Sequence, residues 1–175
     1  MFFLVMNILI LVKYMRYINY FFMFSILGHF IETIFNNGVS GILFGYWTPI
    51  YGIGTLIVLG VNNCVNKIKC NRFCKFLTLF LLCSIILSII EASSGYLIKL
   101  FFNKELWNYS NQKFNIGKYT SLKMAFIWGL SSTIFIYFLN PIVNKVILKI
   151  PKLISIMCIS VFLIDIMTTI FLKII

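Results

Sequence analysis

Long apolar runs separated by short, mostly basic segments set the pattern of this chain. The first confident run reaches from Tyr17 to Phe35 and follows Lys13 and Arg16. It leads into NNGVSGILFGYWTPIYGIG, an uncharged stretch whose Gly and Pro spacing argues against one continuous helix. That spacing predicts a loop or re-entrant segment, with a second span behind it ending near Cys64. Lys67, Lys69, Arg72 and Lys75 then form the densest basic loop, and the longest span is expected over about Phe76 to Ile98. Residues 99 to 121 are the least apolar part of the chain, with aromatics interleaved among lysines as in a segment lying at headgroup level. A fourth span is expected over Leu122 to Asn140, closed by Pro141, and a last one near Ile154 to Leu172 after the basic IVNKVILKIPK. Residues 1 to 12 are short for a crossing and read as an interfacial or partly inserted helix, with a sixth span as the alternative. The expected fold is all-α: a polytopic transmembrane helical bundle of about five spans, six if residues 1 to 12 cross. No internal repeat or low-complexity linker interrupts it, so residues 1 to 175 read as a single integral membrane domain.

Composition strengthens this reading. Of 175 residues 61% are hydrophobic and 11% charged, which leaves too few charges to coat a water-facing surface and excludes an ordinary soluble protein. The N-terminal MFFLVMNILILV carries its positive charge after the apolar stretch and has no small-residue cleavage site behind it, unlike a secretory signal.

The net charge of +11 falls between the apolar runs, where it sets topology and meets anionic headgroups; nucleic acid is not an expected partner. Nine Lys and Arg (Lys13, Arg16, Lys67, Lys69, Arg72, Lys75, Lys145, Lys149, Lys152) lie on one proposed side. Six lie on the other: Lys99, Lys104, Lys113, Lys118, Lys123 and Lys173. The excess favours a cytoplasmic N-terminus in the cell membrane. The five cysteines are odd in number and cluster by the basic loop, so they read as free thiols. No metal spacing, G-x-S-x-G elbow or Gly-rich Lys loop occurs, so no cofactor is expected and nucleotide hydrolysis would need another polypeptide.

Three of four acids, Glu32, Glu91 and Asp165, sit inside apolar stretches. A charge at a helix centre costs about 2.5 to 3.5 kcal/mol on insertion scales, so each should face the bundle, pair, or bind a proton. Ser84, Ser88, Glu91 and Gly95 share one helical face, which offers hydroxyl neighbours to the carboxyl and a small-residue surface to another helix. Two roles stay open for Glu91: a site for a cation, proton or polar substrate group, or a hydrogen-bonded carboxyl that locks helices. His29 and Glu32 are three apart, which permits an ion pair, a proton relay or an interhelical hydrogen-bond pair. Asp165, nearer a helix end with Thr168 and Thr169 on its face, reads as structural.

Four stretches, SILGHFIET, LFGYWTPIYGIG, IEASSGYLIKLFFNKELWNYS and FNIGK with the later Trp128-Gly129, resemble in order the bacterial membrane-protein family labelled "putative ABC transporter permease", the CmpB-like or type IV group. The match covers about residues 20 to 142. The resemblance implies a polytopic transport-related subunit working with a separate ATP-binding protein. It places Glu32, Tyr51, Glu91, Trp107, Tyr109, Ser110, Asn115 and Trp128 as candidates for a substrate or ion pathway, with Pro49, Gly52 and Gly54 at a structural turn. The chain departs from the family pattern at His29 for an aromatic, Ser40 for an arginine, Tyr46 for a proline, Lys99 for a glutamate and Asn108 for an aspartate, and FNIGK is one residue short. Two other readings remain: a membrane-embedded enzyme using Glu91, or His29 with Glu32, on a lipid-like substrate, and a non-catalytic accessory subunit. A chain of about five spans would have to oligomerise to enclose a pathway.

Overall fold

A computed structural model describes residues 2–35 and 41–173, with side chains from Tyr14 onward. The positions Asn36 to Ser40, including the Ser40 departure, lie outside the described residues, as do the side chains of residues 2–13. The described chain is all-helical, and four of its helices are long and apolar enough to cross a membrane: Tyr14–Phe35, Arg72–Phe102, Leu122–Ile147 and Lys152–Lys173. It is a multi-pass membrane protein.

Helix α1 runs unbroken over Phe2–Phe35. Residues 2–12 are therefore the first turns of the first spanning helix rather than a separate element. The reason is local: no Pro and no Gly before Gly28 interrupts this stretch, and Lys13 and Arg16 are good helix formers. The stretch read as loop or re-entrant segment is irregular only up to Thr48, because α2 begins at Pro49 and continues to Asn66. Pro49, Gly52 and Gly54 are thus helical and do not form a turn. Proline at a first helical position loses no hydrogen bond, since that N–H has no intrahelical acceptor. The 18 residues of α2 are about 27 Å long, just short of a hydrocarbon core.

After the basic segment, Asn71 caps α3 (Arg72–Phe102) by accepting from the Cys74 N–H at 2.8 Å. Its other end closes on Asn103, whose left-handed backbone (φ 50°) lets its N–H reach the Lys99 carbonyl. Ser121 caps α4 (Leu122–Ile134) through the Met124 N–H. Pro141, expected to end this span, does not. A π-helical turn over Phe135–Leu139 widens the ladder so that the Asn140 N–H bonds the Phe135 carbonyl, and helix resumes as α5 (Asn140–Ile147). The wider turn relieves the clash that a proline ring makes with the carbonyl four residues back. Helix α6 covers Lys152–Lys173.

The chain forms two compact units, one of residues 1–56 and 142–173, the other of residues 57–141. In the first, the Ser155 hydroxyl donates to Asn19 Oδ1 at 2.6 Å and Tyr20 OH to Asn144 Oδ1 at 3.4 Å, and Phe162 meets Phe21, Phe22 and Trp47 edge to face. In the second, small residues bring α3 and α4 together: a Cβ on Gly129 would lie 2.1 Å from Ser84 Oγ and 2.8 Å from the Phe80 carbonyl. Hydrocarbon tails are as apolar as leucine, so close backbone approach and interhelical hydrogen bonds, rather than escape from solvent, hold such helices together. Leu81, Ile85 and Ile89 on the outer face of α3 are exposed accordingly.

Candidate functional site

Glu91 lies eleven residues before the end of α3, about 16 Å along the helix, and is 4% exposed. Each of its oxygens accepts from a different hydroxyl: Tyr109 OH reaches Oε1 at 3.2 Å and Thr120 Oγ1 reaches Oε2 at 3.1 Å. The Trp128 indole lies against the same carboxyl. One buried acid is thus held from a loop, from the residue just before the α4 cap and from α4 itself. A carboxylate offers about four acceptor positions, so the two hydroxyls and the Trp128 indole leave room for one further donor or cation. Below it on α3 sit Ser88 and Ser84, whose buried hydroxyls have no hydrogen-bond partner among the described residues. The stripe Ser84, Ser88, Glu91, Gly95 read from helical spacing is the buried face of α3, and Gly95 is where the Tyr119 ring seats, 2.7 Å from an added Cβ.

The segment 103–121 is built to hold that arrangement. Tyr109 N–H donates to the Lys118 carbonyl at 2.8 Å, Ile116 N–H to Thr120, and Leu122 N–H to Phe114, around a bridge between Asn115 and Ser121. Trp107 Nε1 donates to the Tyr119 carbonyl at 3.2 Å, so Trp107 braces the segment that carries Thr120. Asn115 is exposed and ties the loop through the Ser110 and Gly117 carbonyls. Ser110, also exposed, donates from its N–H and hydroxyl to Asn108 Oδ1. Asn108 thus supplies the acceptor that holds Ser110 in the loop. Glu105 meets Lys118 at 2.5 Å and Lys99 at 3.9 Å. The Lys118 hydrogen bond holds the Glu105 carboxyl below its usual range, and the same contact raises the lysine.

Of the sequence-expected residues, then, Glu91, Tyr109 and Trp128 come together, Trp107 supports them, and Ser110 and Asn115 shape the loop. Thr120 was not foreseen, because nothing local marks a threonine that caps no helix.

The first unit repeats the device around Glu32. Buried in α1, it accepts from Thr48 Oγ1 at 3.3 Å, and Thr48, like Thr120, stands at the entrance to the following helix. Tyr51 packs its ring on Gly28, where an added Cβ would lie 2.2 Å from Cγ, and Gly52 meets the Phe21 carbonyl as closely. The His29 ring packs edge-on against Tyr46 at 5.5 Å and against Phe30. Two departures from the family pattern, His29 and Tyr46, are thereby one contact. Asp165 anchors the loop before α2, accepting from the Phe44 and Gly45 N–H groups at 2.9 and 2.7 Å, from Trp47 Nε1 at 2.7 Å and from Thr169. Four donors on two oxygens saturate it, which fits the structural role read for it. Among the described residues no three His, Cys, Asp or Glu side chains converge as metal ligands would.

Helices of membrane length carrying buried, hydroxyl-bound carboxyls define a polytopic membrane protein with polar sites inside it. The family description "Putative ABC-transporter type IV" matches residues 19–170, so the chain belongs to that family. No curated protein and no solved structure matches it.

Proposed function

We propose that the chain is the membrane-embedded subunit of a transport system energised by a separate ATP-binding protein, and that Glu91 receives the polar or cationic part of what passes. The observation that carries this reading is the Glu91 carboxyl itself, buried in a spanning helix, reached by the Tyr109 and Thr120 hydroxyls and continued along α3 by two serines that have no partner among the described residues. Ionisable groups are expensive inside a membrane and are retained where an ion or substrate is handled. The basic segments near residues 67–75 and 145–152 support, by the positive-inside rule, a reading in which those ends and the N-terminus are cytoplasmic and the protein sits in the cell membrane. The segment 103–121 then faces the opposite side, over Glu91. Copies of the chain assemble to enclose the path.

The test is Glu91→Gln, introduced into a deletion strain, with membrane abundance and rescue of the deletion phenotype followed together. The reading predicts near-normal abundance with lost rescue. Full rescue at normal abundance would contradict it, and collapse of abundance would return Glu91 to helix packing.

A further inference from the structure

Beside the Glu91 site, α3 and the segment leading into α4 enclose an apolar groove of about 710 Å³, within the roughly 300–1,000 Å³ usual for ligand pockets. Leu81, Ile85 and Ile89 form one wall and Ile116, Leu122 and Phe126 the other. Ser84 and Ser88, each 8% exposed, line its floor, and their hydroxyls have no hydrogen-bond partner among the described residues. Leu122 and Phe126 also border a second cavity, of about 730 Å³, lined by Gln112, Lys113 and Lys123. The two cavities therefore adjoin across Leu122 and Phe126, with two exposed lysines on one side and the apolar groove on the other, within one turn of α4.

We propose that these adjoining cavities bind an anionic phospholipid, its phosphate between Lys113 and Lys123 and an acyl chain crossing Leu122 and Phe126 to lie along α3. Charge complementarity selects this occupant. The nearest acid in the same loop, Glu105, is already engaged by Lys118 and Lys99, so the two lysines at the mouth keep their charge for an anion. The apolar stem matches a chain rather than a soluble anion. The groove borders the proposed transport path at Thr120, Ser84 and Ser88, but Lys113 and Lys123 take no part in that path, so the lysine variant tests the lipid site and Glu91→Gln tests the transport reading separately.

The test uses the full chain in mild-detergent micelles, titrated with phosphatidylglycerol or phosphatidylcholine and read by native mass spectrometry. Phosphatidylglycerol should bind more tightly. The exposed-site variant Lys113→Gln/Lys123→Gln should remove that preference, a loss of roughly thirtyfold, equivalent to about 1 kcal/mol for each lysine near a membrane surface. Ala92→Phe, which fills the groove, should weaken both lipids about tenfold, the equivalent of about two buried methylenes. Equal binding of the two lipids by the wild-type chain would overturn the proposal, as would an unchanged preference in the double lysine variant. A dimer that Ala92→Phe separates, with no lipid bound, would give the groove to a second copy and overturn it as well.

Discussion

Replacing Thr120 by valine removes one donor from Glu91 and keeps the shape of the side chain. Its hydroxyl lies 3.1 Å from Oε2, and Tyr109 reaches the other oxygen independently at 3.2 Å. A hydrogen bond to an uncharged acceptor is worth about 0.5–1.5 kcal/mol net and one to a charged acceptor about 1.5–3. In membrane proteins, cycles between helices average about 0.6 and reach about 1.7 kcal/mol. Thr120 enters α4 while Glu91 belongs to α3, so the membrane figures apply, at their upper end because both groups are buried. The coupling between Thr120→Val and Glu91→Leu should therefore be about 1–1.7 kcal/mol. Each single variant, the double variant and the wild type would be unfolded by raising the fraction of harsh detergent in mild-detergent micelles, with helicity followed by circular dichroism. Additive costs, within about 0.3–0.5 kcal/mol, would mean that the contact carries no energy and that the loop is held some other way.

Gly129→Ala should destabilise the α3–α4 pair by about 1–3 kcal/mol, since the rigid Phe80 carbonyl blocks a methyl even if Ser84 rotates, whereas Gly60→Ala, with open space around it, should gain about 0.5–1 kcal/mol in the same unfolding assay. Asp165→Asn puts an amide where two donors already converge and should cost about 1–3 kcal/mol, read as faster proteolysis and hydrogen exchange of residues 41–48; unchanged exchange would remove Asp165 as the anchor. The exposed Glu105–Lys118 contact gives a pH window with a definite sign. Glu105 is depressed, so its contribution is present above the ordinary carboxylate pKa of about 4.3 and fades as pH falls through the lower folded value. Lys118 is raised, so its contribution is present below about 10.4 and fades as pH rises through the higher folded value. Amide exchange in 103–121, corrected for intrinsic rates, should be slowest relative to Lys118→Met near neutrality and converge with it in strong acid.

Most of the helices are legible in the chain because an apolar run bounded by basic residues leaves few alternatives. α3 and α6 fall within a few residues of expectation, and the Ser84 to Gly95 face follows from helical spacing. The boundaries failed where a local rule was applied without its neighbours. Lys13 and Arg16 mark a membrane edge, but they do not stop a helix, so α1 runs on from Phe2. Pro141 would end an ordinary helix, but the π turn before it accepts the ring. Pro49 and the glycines after it suggest a turn until the proline is seen at a first helical position. At the site, the acid was visible as a charge out of place, while its donors were less so: Thr120 is 29 residues away and Thr48 is 16 from Glu32, distances that only tertiary structure closes. Asp165 shows the same limit, since its acceptor role is set by backbone N–H groups some 120 residues earlier.

The central claim, that this chain is the membrane half of an ATP-driven system, meets its most direct test in affinity purification of the tagged protein from its native cell in mild detergent, with mass spectrometry of what accompanies it. The account predicts an ATP-binding subunit recovered in near-equal amount. Recovery of the chain alone, or only with copies of itself, would contradict it.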